Sequence, residues 1–310
     1  MKTLKIFWRD MRIGTLRHMG RFLVVPVVVF LMSSGLATYI AQLYGEGVIN
    51  GHGTAVDYYM YIMQGMYIYK FTPESEFVIP ISWFMLHIGM AYITAYYPYK
   101  DYNEYGTAVF LASGSRRKWW GAKMLWCMVS VALYYLIIAV SCVAVAYAHG
   151  ADICAGWSVD VMQGMFGDSV KYVSGKDVWL ITVILPFAVS VMLTELQMLL
   201  GFLLTPVVSF AATCGIYIIS AYYTCWWLAG NYTMWIRSSY IDYEGIRPDS
   251  GMLLAVFGIV SVLITGLLYF REKDVLGTRS LERDRVCLVA YFPEDAKLCR
   301  IFRKGEKCRG

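Results

Sequence analysis

The chain has 310 residues, 58% of them hydrophobic and only 16% charged, with a formal net charge of +5. Soluble globular domains carry about 25% charged residues and are roughly 45–50% apolar, so this composition, with a mean hydropathy of +0.52, excludes that class. Charge-free windows reach the ~20 residues that a membrane-crossing helix needs, whereas the alternating ten-residue segments of a barrel are missing. The chain reads as an all-α integral membrane protein.

The first element is amphipathic. Leu4, Phe7, Trp8 and Met11 recur at i, i+3, i+4 and i+7, with Lys5, Arg9 and Arg12 interleaved. That pattern predicts a basic helix over residues 2–18 lying in the headgroup layer. The basic region runs to Arg21, and the apolar run continues past Ser34-Gly35-Leu36-Ala37; both are wrong for a cleaved secretory signal.

Spans are read as gaps between charges. Windows at about 22–44, 78–99, 124–149 and 250–270 each supply one helix. The stretch 178–236 contains Glu195 as its one charge and is long enough for two, 178–197 and 200–223, with a turn near Thr194–Gly201. Six transmembrane helices result, and Glu195 falls at the turn between the fourth and fifth. Pro186 and Pro206 are expected to kink those two spans. Of the 27 Lys and Arg residues, 22 lie in the amino-terminal segment, the loop 100–123 and the tail. The excess of basic residues on one side places both termini in the cytoplasm.

The cytoplasmic loop between the second and third spans predicts a short helix from about Tyr102 to Ser113. Asp101 and Glu104 resemble a capping box and Gly114 a C-terminal stop. Its apolar Ala108, Val109, Phe110 and Leu111 require a cover: membrane, the bundle itself, or a partner. Segments 46–76 and 152–177 are long, mildly acidic and external. The loop 224–249 is aromatic and contains the glycosylation-type triplet Asn231-Tyr232-Thr233. Eight cysteines include no C-x-x-C spacing. Cys154 and Cys225, both external, fit a disulfide or two free thiols.

Catalytic chemistry has no pattern to stand on. No H-E-x-x-H, G-x-S-x-G or P-loop motif occurs, and His87 and Glu195 are the only carboxyl or imidazole groups well inside the spans. The chain is expected not to be an enzyme and to carry no metal.

Two segments resemble a known family. Ser113-Gly-Ser-Arg-Arg-Lys-Trp-Trp-Gly-Ala-Lys123, before the third span, and Phe270-Arg-Glu-Lys-Asp274, at the exit of the sixth, are similar to motifs of bacterial ABC (ATP-binding-cassette) transporter permease subunits of the type-2 exporter class. The resemblance covers 1–276 and implies a six-span permease domain, with 277–310 as a basic cytoplasmic tail outside it. It implies an amino-terminal elbow helix, a coupling helix at about 101–114, a second permease subunit, and a separate cytoplasmic ATPase that holds ATP and magnesium, so that no cofactor sits on this chain. Docking of the ATPase would fall to Tyr102, Tyr105, Val109 and Phe110, with Arg116 and Arg117 at the rim or facing lipid phosphate. Leu4, Phe7, Trp8 and Met11 would rest on membrane lipid. Nucleic acid is not an expected partner. The implied location is the bacterial plasma membrane, and the cargo an amphipathic compound or peptide antibiotic. A secondary carrier without an ATPase, and a non-transporting scaffold or sensor, are the competing classes.

Overall fold

A computed structural model describes residues 2–71, 77–113, 115–167 and 173–272; the tail 277–310 and Gly114 lie outside them. Helix makes up 78% of the structure, and the described residues contain no strand. Among the described residues, four stretches are long and apolar enough to cross a bilayer: Thr3–Gly45, Arg116–Ala148, Gly175–Leu203 and Pro248–Arg271.

The first begins as α1 (Lys2–Asp10), passes through a wide turn at Met11–Thr15 and a tight helical stretch at Leu16–Leu23, and continues as α2 (Val24–Gly45). The irregularity has a cause. Thr15 is buried and its hydroxyl is engaged by the Trp126 indole N–H at 3.0 Å, while His18 leaves helical geometry at φ −112° and ψ 21°. α1 does not present one continuous apolar stripe to lipid. Ile6, Phe7 and Met11 are buried against the protein, whereas Leu4 and Trp8 are exposed. Addition of Ile6 and Asp10 to the inward side rotates the buried face away from Leu4.

α3 (Ala55–Met63) caps one end of the bundle. Its start is a capping box of Thr54 and Asp57, and Tyr58, Met60, Ile62 and Met63 pack into the core. The windows 78–99 and 200–223 contain shorter helices, α4 (Ile81–Ala95) and α10 (Pro206–Tyr222). α5 (Tyr97–Ser113) follows α4 after one residue. It begins five residues before the expected Tyr102 because Pro98 sits in its first turn, where the missing N–H is not needed. Asp101 is therefore inside the helix and does not cap it. α6 (Arg116–Ala148) is the longest uninterrupted helix among the described residues, followed by α7 (Val159–Phe166) and α8 (Gly175–Trp179).

α8 runs through a wide turn at Leu180–Ile184 into α9 (Leu185–Leu203). The widened turn precedes Pro186 and absorbs the hydrogen bond that proline cannot make. The turn after α9 falls at Leu204–Thr205, not at Thr194–Gly201. Thr205 caps α10, accepting from the Val208 N–H at 3.3 Å, and Pro206 occupies the first helical position. That pair is a stronger helix start than the polar residues upstream, so Pro206 opens a helix where a kink was expected. Glu195 consequently sits mid-helix, about 12 Å before the turn at ~1.5 Å per residue. α11 (Pro248–Glu272) completes the bundle. α9 is central and packs against α4, α6, α10 and α11.

Candidate functional site

Four charged residues from three helices meet at the Arg116 end of α6. Arg9 and Asp10 end α1, Asp101 lies on α5, and Lys123 lies on the second turn of α6. Arg9 Nη2 donates to Asp101 Oδ2 at 2.6 Å and to Asp10 Oδ1 at 2.8 Å. Lys123 Nζ donates to Asp101 Oδ2 at 2.6 Å and lies 3.0 Å from Asp10 Oδ2. The Tyr97 hydroxyl donates to Asp10 Oδ1 at 2.9 Å, and the Lys123 ammonium stands 4.7 Å from the centre of the Tyr97 ring. Two cations and two carboxylates cancel. Lys123 and Asp10 are fully buried, and ions can be held there only with such pairing.

The environment sets the charge state. Burial alone would raise the Asp101 carboxyl, but the Lys123 ammonium and the Arg9 guanidinium outweigh it and hold the acid below the usual carboxylate range. Burial, then the two carboxylates, push the Tyr97 phenol far above its ordinary value, so it remains a donor. Gly14 makes the approach of the wide turn Met11–Thr15 to Tyr97 feasible: a Cβ there would stand 2.6 Å from the ring.

Beside the charges lies an aromatic box. Trp119, Trp120, Phe202 and Phe270 pack with ring centres 4.9–6.5 Å apart, in mostly edge-to-face or tilted arrangements that favour aromatic pairs. Tyr102 joins it from α5, 5.8 Å from Trp119 and 5.6 Å from Phe202. The Trp120 indole N–H donates to the Leu263 carbonyl at 3.2 Å, over Gly266, where any Cβ would overlap the indole. Thus Trp119, Trp120 and Phe270, from the two segments that carried the resemblance, touch in the folded chain.

The docking residues expected from sequence separate. Tyr102 and Tyr105 are half-buried against this core. Arg116 Nη1 donates to the carbonyls of Phe270 and Arg271 at 3.0 and 3.1 Å, which places it at the end of α11, where a cation complements the helix dipole. Arg117 is exposed. The side chains of Val109 and Phe110 lie outside the described residues. None of Arg9, Asp10, Asp101 and Lys123 was expected as a site residue, Arg9 having been read as an interleaved base and Asp101 as a helix cap; the available signal was that Asp10 is the sole acid before Glu46.

The opposite end is built differently. Arg237 is 1% exposed and donates to the carbonyls of Ser220, Ala221, Met66 and Tyr67 at 2.6–3.0 Å and to Asn231 Oδ1 at 2.7 Å. It caps α10 and ties on the strap after α3. Burial lowers its guanidinium to about 10, still protonated at neutral pH. Asn231 Nδ2 is buried and donates to the Tyr223 carbonyl at 2.9 Å, so the glycosylation-type triplet presents no free surface amide. Asp57 accepts from the backbone N–H groups of Thr54 and Ser158 at 2.8 and 3.0 Å, joining α3 to the start of α7. Burial raises its carboxyl to about 6 against the pull of those bonds. Cys154 and Cys225 are free thiols.

Inside the bundle, Glu195 is 3% exposed and its Oε2 has no hydrogen-bond partner among the described residues. His87 Nδ1 donates to the Trp83 carbonyl at 2.8 Å, and the ring rests between Trp83 and Tyr217. Among the described residues no group of three or more His, Cys, Asp and Glu could hold a metal. Compared with known proteins, the chain matches no family model, no curated protein and no solved structure.

Proposed function

We propose that this chain is the membrane-spanning subunit of an ATP-driven exporter of the type-2 ABC class, acting as a dimer and driven by a separate cytoplasmic ATPase. In this reading α2, α4, α6, α8–α9, α10 and α11 are six spans, α1 is the elbow helix and α5 the coupling helix, with both termini in the cytoplasm of a bacterium. α4 and α10, at 15 and 17 residues, fall short of ~20 and would cross with local thinning of the bilayer.

The observation that carries the reading is the charge joint. A coupling element must pass a push from outside the bilayer to the spans without bending, and α5 is bonded through Asp101 to both α1 and α6. Through Tyr102 it also meets α9 and α11. Such an element moves as a rigid body with its helices. Tyr102 then belongs to the joint, and contact with the ATPase falls to Val109, Phe110 and Arg117.

Copurification with a P-loop ATPase, sought first in the reading frames beside the gene, tests this. Phe110→Ala should weaken the complex by about 1–3 kcal/mol, the range of a buried anchor, and Phe110→Asp should abolish it. Normal pull-down by Phe110→Asp, with only the stability of the permease lowered, would remove the docking assignment. A secondary carrier is favoured by one observation, the buried unpartnered carboxyl of Glu195, because a lone intramembrane acid suits proton coupling. Transport that survives without any ATPase but is lost in Glu195→Gln would select that reading.

A further inference from the structure

A cavity of about 470 Å³ opens on the side of the bundle between α3, α6 and the wide turn that follows α8. We propose that it binds one acyl chain of a membrane phospholipid from the leaflet at the Ala148 end of α6. The volume is in the range of small-molecule sites, which are mostly apolar with a few placed polar groups.

Its dimensions fit. The α6 wall runs from Ala132 to Val143, about 16 Å at ~1.5 Å per residue, and ends five residues short of Ala148. One leaflet contributes about half of a ~30 Å hydrocarbon core, so wall and leaflet agree in length and depth. Leu136 and Trp179 border the cavity and are 58% and 44% exposed; in a membrane that exposure is to lipid chains.

The polar inventory disfavours water as the filling. The Tyr135 hydroxyl is bonded to Ser190 Oγ at 2.8 Å, Thr182 Oγ1 donates to the Val178 carbonyl at 2.7 Å, and Cys154 Sγ donates to the Gly156 carbonyl at 3.3 Å. Tyr59 is 8% exposed, and its hydroxyl has no partner among the described residues. A buried water needs two to four polar partners; with the Tyr59 hydroxyl enclosed, the side chains of this wall offer little beyond the Trp179 indole N–H. An empty apolar space would forfeit dispersion contacts along the whole wall. Hydrocarbon satisfies both conditions.

The test uses vesicles containing the full chain and a phospholipid with a diazirine on one acyl chain, with the sites of photolabelling mapped by mass spectrometry. Labelling of Ala132, Ala139 and Val183 should exceed, several-fold, that of the freely exposed Leu253 and Phe257 on α11. Ala139→Trp should fill the space and remove the wall labels while leaving those on α11. Should that variant not fold, Val183→Phe gives the same reading from the facing wall. Equal labelling of wall and α11, or wall labels that persist in the filled variants, would overturn the proposal. The vesicles contain no ATPase, so the outcome is independent of the transporter reading.

Discussion

The two ends of the bundle handle buried charge in opposite ways. At the Arg116 end of α6, Arg9, Asp10, Asp101 and Lys123 neutralise one another across three helices. At the other end, Arg237 meets only carbonyl and amide oxygens, and Asp57 meets backbone N–H groups. Charges paired with charges are interdependent, since removal of one leaves its partner buried and uncompensated. Charges satisfied by the backbone are locally complete. The first end is therefore an interdependent joint between helices, and the second a set of separable fasteners.

The largest expected effect is at the joint. Lys123→Met leaves two carboxylates facing Arg9 alone and should destabilise the protein by roughly 3–5 kcal/mol, the cost of breaking a buried pair, read by thermal unfolding in detergent. At the opposite end, Arg237→Lys keeps the charge but has fewer donors than the five-bonded guanidinium, so several carbonyls lose their partner. On the order of 2–4 kcal/mol is expected, since bonds to charged groups contribute ~1.5–3 kcal/mol each and are not additive. A loss at Arg237 clearly greater than that at Lys123 would erase the distinction between the ends.

Asp57 adds a pH dependence to the second end. Its folded value of about 6 lies above the ordinary 3.8, so folding favours the protonated acid. The stability this confers is complete below about pH 4 and is lost as pH rises through 6. Unfolding measured at pH 4.5 and 7.5 should differ by on the order of 2 kcal/mol from this group, and the difference should vanish in Asp57→Asn. The smallest effect is at Thr205→Ala, which removes the cap of α10 and should cost about 1 kcal/mol.

Legibility in the sequence followed periodicity and failed where tertiary pairing decides. The long charge-free windows mark α2, α6 and α11 because a bilayer-length apolar run has few alternative folds. The boundary at Leu204–Thr205 was displaced because Thr194, Glu195 and Gln197 look like turn residues; all three are buried within α9, and Gln197 donates to the Ala91 carbonyl at 2.8 Å on α4. Asp101 read as a helix cap from its spacing to Glu104, since local spacing carries no trace of Lys123 on the next helix. The same limit hid the split of the α1 apolar face, which depends on Asp10 being drawn inward by Lys123 and Tyr97. The segments bearing Trp119, Trp120 and Phe270 were singled out by resemblance, but only the fold brings the three rings together.

The most direct measurement of the joint is a double-mutant cycle on Asp101→Leu and Lys123→Met. Each single change leaves an odd charge buried, whereas the double variant retains Arg9 and Asp10 as a neutral pair. The double variant should therefore unfold at a higher temperature than either single variant, with a coupling energy of at least ~2 kcal/mol, within the range seen for contacting residues. Losses that simply add, leaving the double variant the least stable of the three, would contradict the joint.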